Sequence, residues 1–280
     1  MLALLGGAAA AVIAAGAGLV LLVVTALPPN APQHSTTVSA RHGATSDAPR
    51  PPGTAAAGLH VPDAAAPNPD QERNLLAARP MPTVEAQAAR PGPVSLTPPG
   101  QILLPAATRT GRAGVPTGFP HTPQGALAQL AAIDVTAMQS GSLAGTRDVL
   151  AGWGLPGGPT ARSWSLTRGM AALLNQAGLS GGGSPRLALV LTPLMGLVKG
   201  TSGLDFVVPC VDFELDVTLE QTARAAVADC QRMVWTGGQD TTGRWMIGPG
   251  AEPAPAPSVW PDTDAAITVG YVDLRAANHD

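Results

Sequence analysis

The sequence predicts an α+β protein in three parts: an N-terminal transmembrane helix over residues 1–27, a disordered Pro/Ala-rich linker over 28–117, and an extracytoplasmic domain over 118–280 in which helices pack on an antiparallel sheet. Three observations lead there. Residues 2–27 carry no charge and almost nothing polar except Thr25. Residues 28–117 are mostly Pro, Ala, Thr and Ser with scattered Arg. Beyond Gly118 the apolar residues recur first at helical spacing and then at every second position, so helices precede strands rather than alternate with them.

The N-terminal run exceeds the roughly 20 helical residues that cross a hydrocarbon core. A helix apolar all round must be fully buried or in lipid. Pro28-Pro29 ends it, because proline supplies no N–H and resists helical continuation. A secretory signal has a basic leader and an apolar core of about 7–15 residues. Here the leader is missing and the core is longer, so the segment reads as an uncleaved anchor. The alternative, a cleaved signal, draws on Val24-Thr25-Ala26, which has the small-residue pattern of a cleavage site. Gly6, Ala10, Ala14 and Gly18 share one helix face, a spacing that permits close helix packing in lipid but also arises by chance in an Ala-rich run.

The linker holds too few large apolar residues to offset its ordering entropy. As a coil its span is about 50–60 Å, and more where polyproline conformation stiffens it. Residues 70–79 have the pattern of a short helix, and Gln101-Ile102-Leu103-Leu104-Pro105 is an apolar patch of the kind that adds to a sheet edge. Both are read here as spacer.

In the domain, Thr122 is a good N-cap and Pro123 suits the first helical position. Leu127, Leu130, Ile133 and Ala137 then recur at helical spacing. A second helix fits 142–151, and a third runs from about Ser163 to Gly178 with Leu166, Met170, Leu173 and Leu174 on one face. Strands follow over 187–198, interrupted by Pro193, and over 206–219. In the latter Val207, Val211, Phe213, Leu215, Val217 and Leu219 take one face, while Cys210, Asp212, Glu214, Asp216 and Thr218 take the other. Residues 224–235 and 244–247 read as further strands about a turn at Gly237-Gly238. Residues 263–274 read as a terminal helix with Ile267, Tyr271 and Leu274 aligned.

Composition excludes several functions. Sixteen Lys+Arg stand against 19 Asp+Glu, so there is no basic excess for nucleic acid. Two cysteines cannot make a four-cysteine zinc site. No GxxxxGK phosphate loop occurs. His121 has no partner at metal-ligand spacing, and Gly181-Gly182-Gly183 lacks the basic context of a phosphate cradle, so it reads as a flexible loop. Asp212, Glu214 and Asp216 could tune one another's pKa as acid–base groups do, but read more simply as a solvated face or one paired with arginines on the next strand. No catalytic, cofactor-binding or metal-binding residue is assigned.

Gly118-Phe119-Pro120-His121-Thr122-Pro123-Gln124-Gly125-Ala126-Leu127, Val208-Pro209-Cys210-Val211-Asp212-Phe213 and Asp229-Cys230-Gln231-Arg232-Met233-Val234-Trp235 resemble segments of actinobacterial membrane-anchored proteins of conjugative elements. One span, a Pro-rich linker and a helices-then-sheet domain also resemble the extracytoplasmic assembly subunits of conjugation and type IV secretion machines. The resemblance covers residues 118–250. It implies a nuclear-transport-factor-2-like cone of helices on a curved sheet. It also implies a non-enzymatic, single-pass scaffold of the cell membrane that contacts other protein subunits or further copies of itself and does not bind nucleic acid directly. The same fold hosts small-ligand-binding proteins and enzymes, which is the alternative. Enzymes of this kind place polar groups inside the cone, whereas the inward face here reads as apolar.

Cys210 and Cys230 are expected to form a disulfide. If the two strands pair as a hairpin centred on Glu220, paired numbers sum to 440, which sets Cys210 opposite Cys230, Phe213 opposite Val227 and Asp216 opposite Arg224. Directly opposed residues at a non-hydrogen-bonded position approach closely enough for a bridge, and an extracytoplasmic compartment preserves one. The alternative is two small buried thiols.

Overall fold

The computed structural model describes residues 68–179, 182–237 and 243–277. The expected membrane anchor, its small-residue stripe and the linker up to residue 67 lie outside them. Among the described residues no helix is long and apolar enough to cross a membrane.

The chain runs α1 (Pro69–Ala78), a 3-10 turn (Ala86–Ala89), β1 (Gln101–Leu104), β2 (Arg109–Thr110), a second 3-10 turn (Arg112–Gly114), β3 (Pro116–Thr117), α2 (Pro123–Gln139), α3 (Leu143–Trp153), α4 (Ser165–Gln176), β4 (Ala188–Thr201), β5 (Phe206–Thr218), β6 (Thr222–Cys230), β7 (Met233–Thr236), β8 (Arg244–Ile247), α5 (Asp264–Val269) and β9 (Val272–Ala276). The main sheet has the order β1-β9-β4-β5-β7-β8, with β6 also paired to β5. It is a curled half-barrel. β4 and β5 pair antiparallel with register shifts between Pro193 and Met195 and between Val198 and Gly200. Proline cannot donate to a ladder, and such bulges bend the strand that carries them.

Local chemistry sets the helix starts. Thr122 accepts from the Gly125 N–H at 3.1 Å ahead of Pro123, and Ser142 accepts from the Gly145 N–H at 3.1 Å. α2 lies on β4 and β5, with α3 and α4 beside it. The concave core joins Leu127, Leu130, Ile133, Trp153, Trp164, Met170 and Leu173 from the helical layer to Leu191, Val211, Phe213 and Trp245 from the sheet. Fully burying one such side chain contributes about 1.5–3 kcal/mol.

The hairpin register is the one expected. Cys210 faces Cys230, Phe213 faces Val227 and Asp216 faces Arg224. The expected strand over 224–235 is two strands separated by Gln231 and Arg232, yet β7 keeps the same register, with Phe206 opposite Val234.

Three expectations are corrected. First, the spacer does not extend to Thr117, because residues 68–117 are built into the fold. Asn68 caps α1 by accepting from the Gln71 N–H at 2.8 Å. Leu76 of α1 packs with Phe206 and Val208, and Gly200 makes room for it, since a Cβ there would lie 2.3 Å from Leu76. β1 joins β9 in parallel. Few apolar residues suffice because those that are covered, such as Leu76, Met81 and Val84, pack against an already formed sheet. The prolines also restrict the unfolded chain and so lower the ordering cost. Second, the terminal helix stops at Val269. Gly270 adopts φ 99° and closes it, and the following residues become β9. Third, the polar face of β5 is only partly solvated. Cys210 and Asp212 are fully buried under a second core formed by Met195, Val259, Ala266, Val269 and Tyr271 with Met81, Val84 and Ala88 packed against it.

Candidate functional site

The structure's unexpected polar cluster lies at the end of β6. Register places Asp229 opposite Val211, hence on the inward, helix-facing side of the sheet. α2 brings Asp134 toward the same place, the start of α4 supplies Ser165 and Arg168, and the segment after β8 supplies Glu252. Asp134 and Asp229 both line a cavity of about 50 Å³ among Leu191, Phe213 and Leu215. A larger, open groove of about 600 Å³ runs between residues 80–89 and 252–258. Ser165, Ala228 and Asp229 line both.

Hydrogen bonds divide the carboxylates. Asp229 accepts from the Gln231 amide at 2.9 Å and shares the single Ser165 hydroxyl proton, at 3.0 Å, with Glu252. Glu252 accepts from the Ser165 N–H at 2.9 Å, the Ser165 hydroxyl at 2.8 Å and Gln231 at 3.1 Å, and faces Arg168 at 3.6 Å. Neither oxygen of Asp134 has a partner among the described residues. Burial pushes the Asp134 pKa well above the carboxylate range, and the charges of Asp229 and Glu252 add to this. Burial and the Glu252 charge raise Asp229 to about 7, against the pull of hydrogen bonds from Gln231, Ser165 and the Cys230 N–H. The arrangement favours the protonated form of Asp134 and poises Asp229 near neutrality.

The residues singled out from sequence are distributed elsewhere. Asp212, Glu214 and Asp216 do not form one acid–base unit. Asp212 is buried and accepts from the Val259 N–H at 3.4 Å, with its pKa pushed up by desolvation. Glu214 and Asp216 pair with Arg224, as an arginine on the next strand would; the Arg224–Asp216 contact is 3.1 Å. His121 stacks on Trp235 with ring centroids 4.3 Å apart, and its Nε2 lies 2.9 Å from Asp205. Gly181 lies outside the described residues, while Gly183 abuts the Gly141 carbonyl too closely for a side chain. Cys210 and Cys230 are disulfide-bonded, with Cα atoms 4.1 Å apart and the Met81 sulfur 3.8 Å from each cysteine sulfur. Among the described residues no group of three or more His, Cys, Asp or Glu could hold a metal ion.

Sequence reasoning passed over Asp134, Asp229 and Glu252, although two of them left a signal. Asp134 interrupts the apolar stripe of Leu127, Ala131 and Met138. The 440 register that pairs the cysteines also places Asp229 on the face of Val211. Glu252 sits in a Pro-rich stretch with no periodicity and left none. No family model, curated protein or solved structure matches this chain.

Proposed function

We propose that the chain is a non-enzymatic, membrane-anchored assembly or scaffold subunit of a conjugation or type IV secretion-like apparatus, held in the cell membrane by its N-terminal run with the folded domain on the extracytoplasmic side. The observation that carries the reading is a free sheet edge. β1 is the terminal strand, with β9 on one side and no strand on the other among the described residues. Leu103 on β1 is 57% exposed, and Val94 and Leu96 just before it are 70% and 102% exposed. An unpaired edge beside exposed apolar side chains suits strand addition by another chain. The resemblance of residues 118–127, 208–213 and 229–235 to conjugative-element proteins supplies the class of apparatus.

The test is a photo-crosslinking residue at position 103 in cells, combined with deletion of the gene. Crosslinks to envelope subunits of a transfer or secretion machine, or to a second copy, with loss of transfer on deletion, are expected. Intact transfer and no crosslink from position 103 would contradict the reading. A second reading, a small-ligand-binding or enzymatic domain of the same fold, is favoured by one observation: Asp134, without a partner among the described residues, lines the same cavity as Asp229.

A further inference from the structure

A buried carboxyl ordinarily meets a donor from the protein or from water. Asp134 is 1% exposed and meets none among the described residues. The charges that act on it are acidic. Asp229 comes from β6 and Glu252 from the segment after β8, while α4 contributes one cation, Arg168, which is directed at Glu252. The Tyr271 hydroxyl, which also feels the Asp229 charge, donates to the Pro257 carbonyl at 2.9 Å. The cavity that Asp134 and Asp229 share is otherwise walled by Ser165 and by apolar side chains such as Leu191, Phe213 and Leu215.

The geometry points to this cavity as a binding site for the ammonium head of a small primary amine. An ammonium brings three N–H donors and one positive charge. Asp134 offers two oxygens without partners. Asp229 retains acceptor capacity beyond its bonds to Ser165 and Gln231, because an ionised carboxylate accepts at about four positions. The volume of about 50 Å³ suits an ammonium with a single carbon, and the apolar wall suits that carbon. A buried cation is tolerated only where it is paired and hydrogen-bonded, which two carboxylates provide. An anion would meet these carboxylates unscreened. A divalent metal would need more oxygen ligands than the cluster supplies.

Entry of the cation ionises Asp134, whose proton leaves to bulk solvent. Where Asp229 is already ionised, above about pH 7, binding exchanges one proton for one cation; below it Asp229 gives up its proton as well, so binding strengthens as pH rises. This site is independent of the free β1 edge and of any assembly role.

The test uses the full 280-residue chain in nonionic detergent, with 13C-labelled aspartate carboxyls followed by NMR. Methylammonium chloride is titrated against three controls: sodium chloride at equal ionic strength, tetramethylammonium, which is too large and has no N–H, and methanol, which is neutral. A saturable shift of the Asp134 carboxyl toward its ionised position is expected for methylammonium only, with Kd on the order of 10 mM. Above about pH 7 affinity should rise by up to about tenfold per pH unit while Asp134 is protonated in the free protein. In Asp134→Asn, followed at Asp229, it should fall at least about tenfold. An equal response to tetramethylammonium or methanol, no saturable shift up to roughly 100 mM, or undiminished affinity in the variant would each overturn the proposal. Should the variant not fold, the wild-type contrast between methylammonium and its three controls decides the matter alone.

Discussion

The two faces of the sheet are covered by opposite means. On the concave side, three helices bury large side chains such as Leu130, Trp164 and Met170 against Val211 and Phe213. On the convex side, residues 80–90 and 253–262 lie as a Pro/Ala-rich strap with little to bury. It is held by particular contacts instead: Met81 against the disulfide, the Trp260 N–H on the Ala88 carbonyl at 2.6 Å, the Ala228 N–H on the Ser258 hydroxyl at 3.0 Å, and the Val259 N–H on Asp212. The difference teaches that low hydrophobicity does not by itself make a segment a spacer. A strap lying on an already folded sheet borrows that sheet's order.

If the concave face carries most of the stability, truncating it should cost most. Phe213→Ala should destabilise the domain by about 3–5 kcal/mol, read by urea unfolding. Val259→Ala on the convex side removes fewer buried atoms and should cost about 1–2 kcal/mol. Equal losses would erase the contrast between the faces.

Replacing both cysteines by alanine should cost about 2–4 kcal/mol, since the bridge closes a separation of 20 residues. Thermal melting under non-reducing conditions reads the loss. A shift in midpoint of under a degree would mean that the bridge contributes nothing to the convex face.

The acidic cluster adds a pH dependence of definite sign. Asp229 titrates near 7 in the folded state, above its ordinary value of 3.8. The folded state therefore holds a proton that the unfolded state has released between those two values. Stability is full below about pH 4 for this group and falls as pH rises toward 7, by up to about 1.4 kcal/mol per pH unit. Buried Asp134 and Asp212 act with the same sign. Asp229→Asn should flatten this slope, checked by unfolding free energies at pH 5, 6, 7 and 8 (roughly even steps across the window). A wild-type protein that gains stability from pH 5 to 8 would contradict the assignment.

The smallest effect belongs to the exposed end of the hairpin. Arg224 pairs with Asp216 and Glu214 and lies over the Trp260 ring at 5.5 Å, but it is half exposed. Arg224→Ala should cost about 0.2–1 kcal/mol, less at high salt.

What was legible in the sequence follows the same division between faces. Wherever a repeat period or a cap specifies structure, the residues declare it. Thr122-Pro123 marks the start of α2, the alternation over 206–219 marks β5, and one register accounts for the disulfide, the Arg224–Asp216 pair and the β7 pairing. The strap was not legible because its order comes from long-range contacts, such as Trp260 to Ala88, that leave no local pattern. β9 was hidden because 263–274 fits a helical period until the left-handed turn at Gly270. Asp134 was visible as a break in an apolar stripe but was passed over, because one carboxyl does not change the stripe's period.

The central claim, that the Pro/Ala-rich strap is a latched part of the domain rather than a spacer, is tested most directly by hydrogen exchange and mass spectrometry on peptides covering 86–104 and 258–262, before and after reduction. The account predicts protection at Ala88, Val259, Trp260 and the β1 amides in the oxidised protein. On reduction that protection should drop around 81–90, while α2, α3 and α4 stay protected. Exchange of these peptides at the rate of an unstructured chain in the oxidised protein would contradict it.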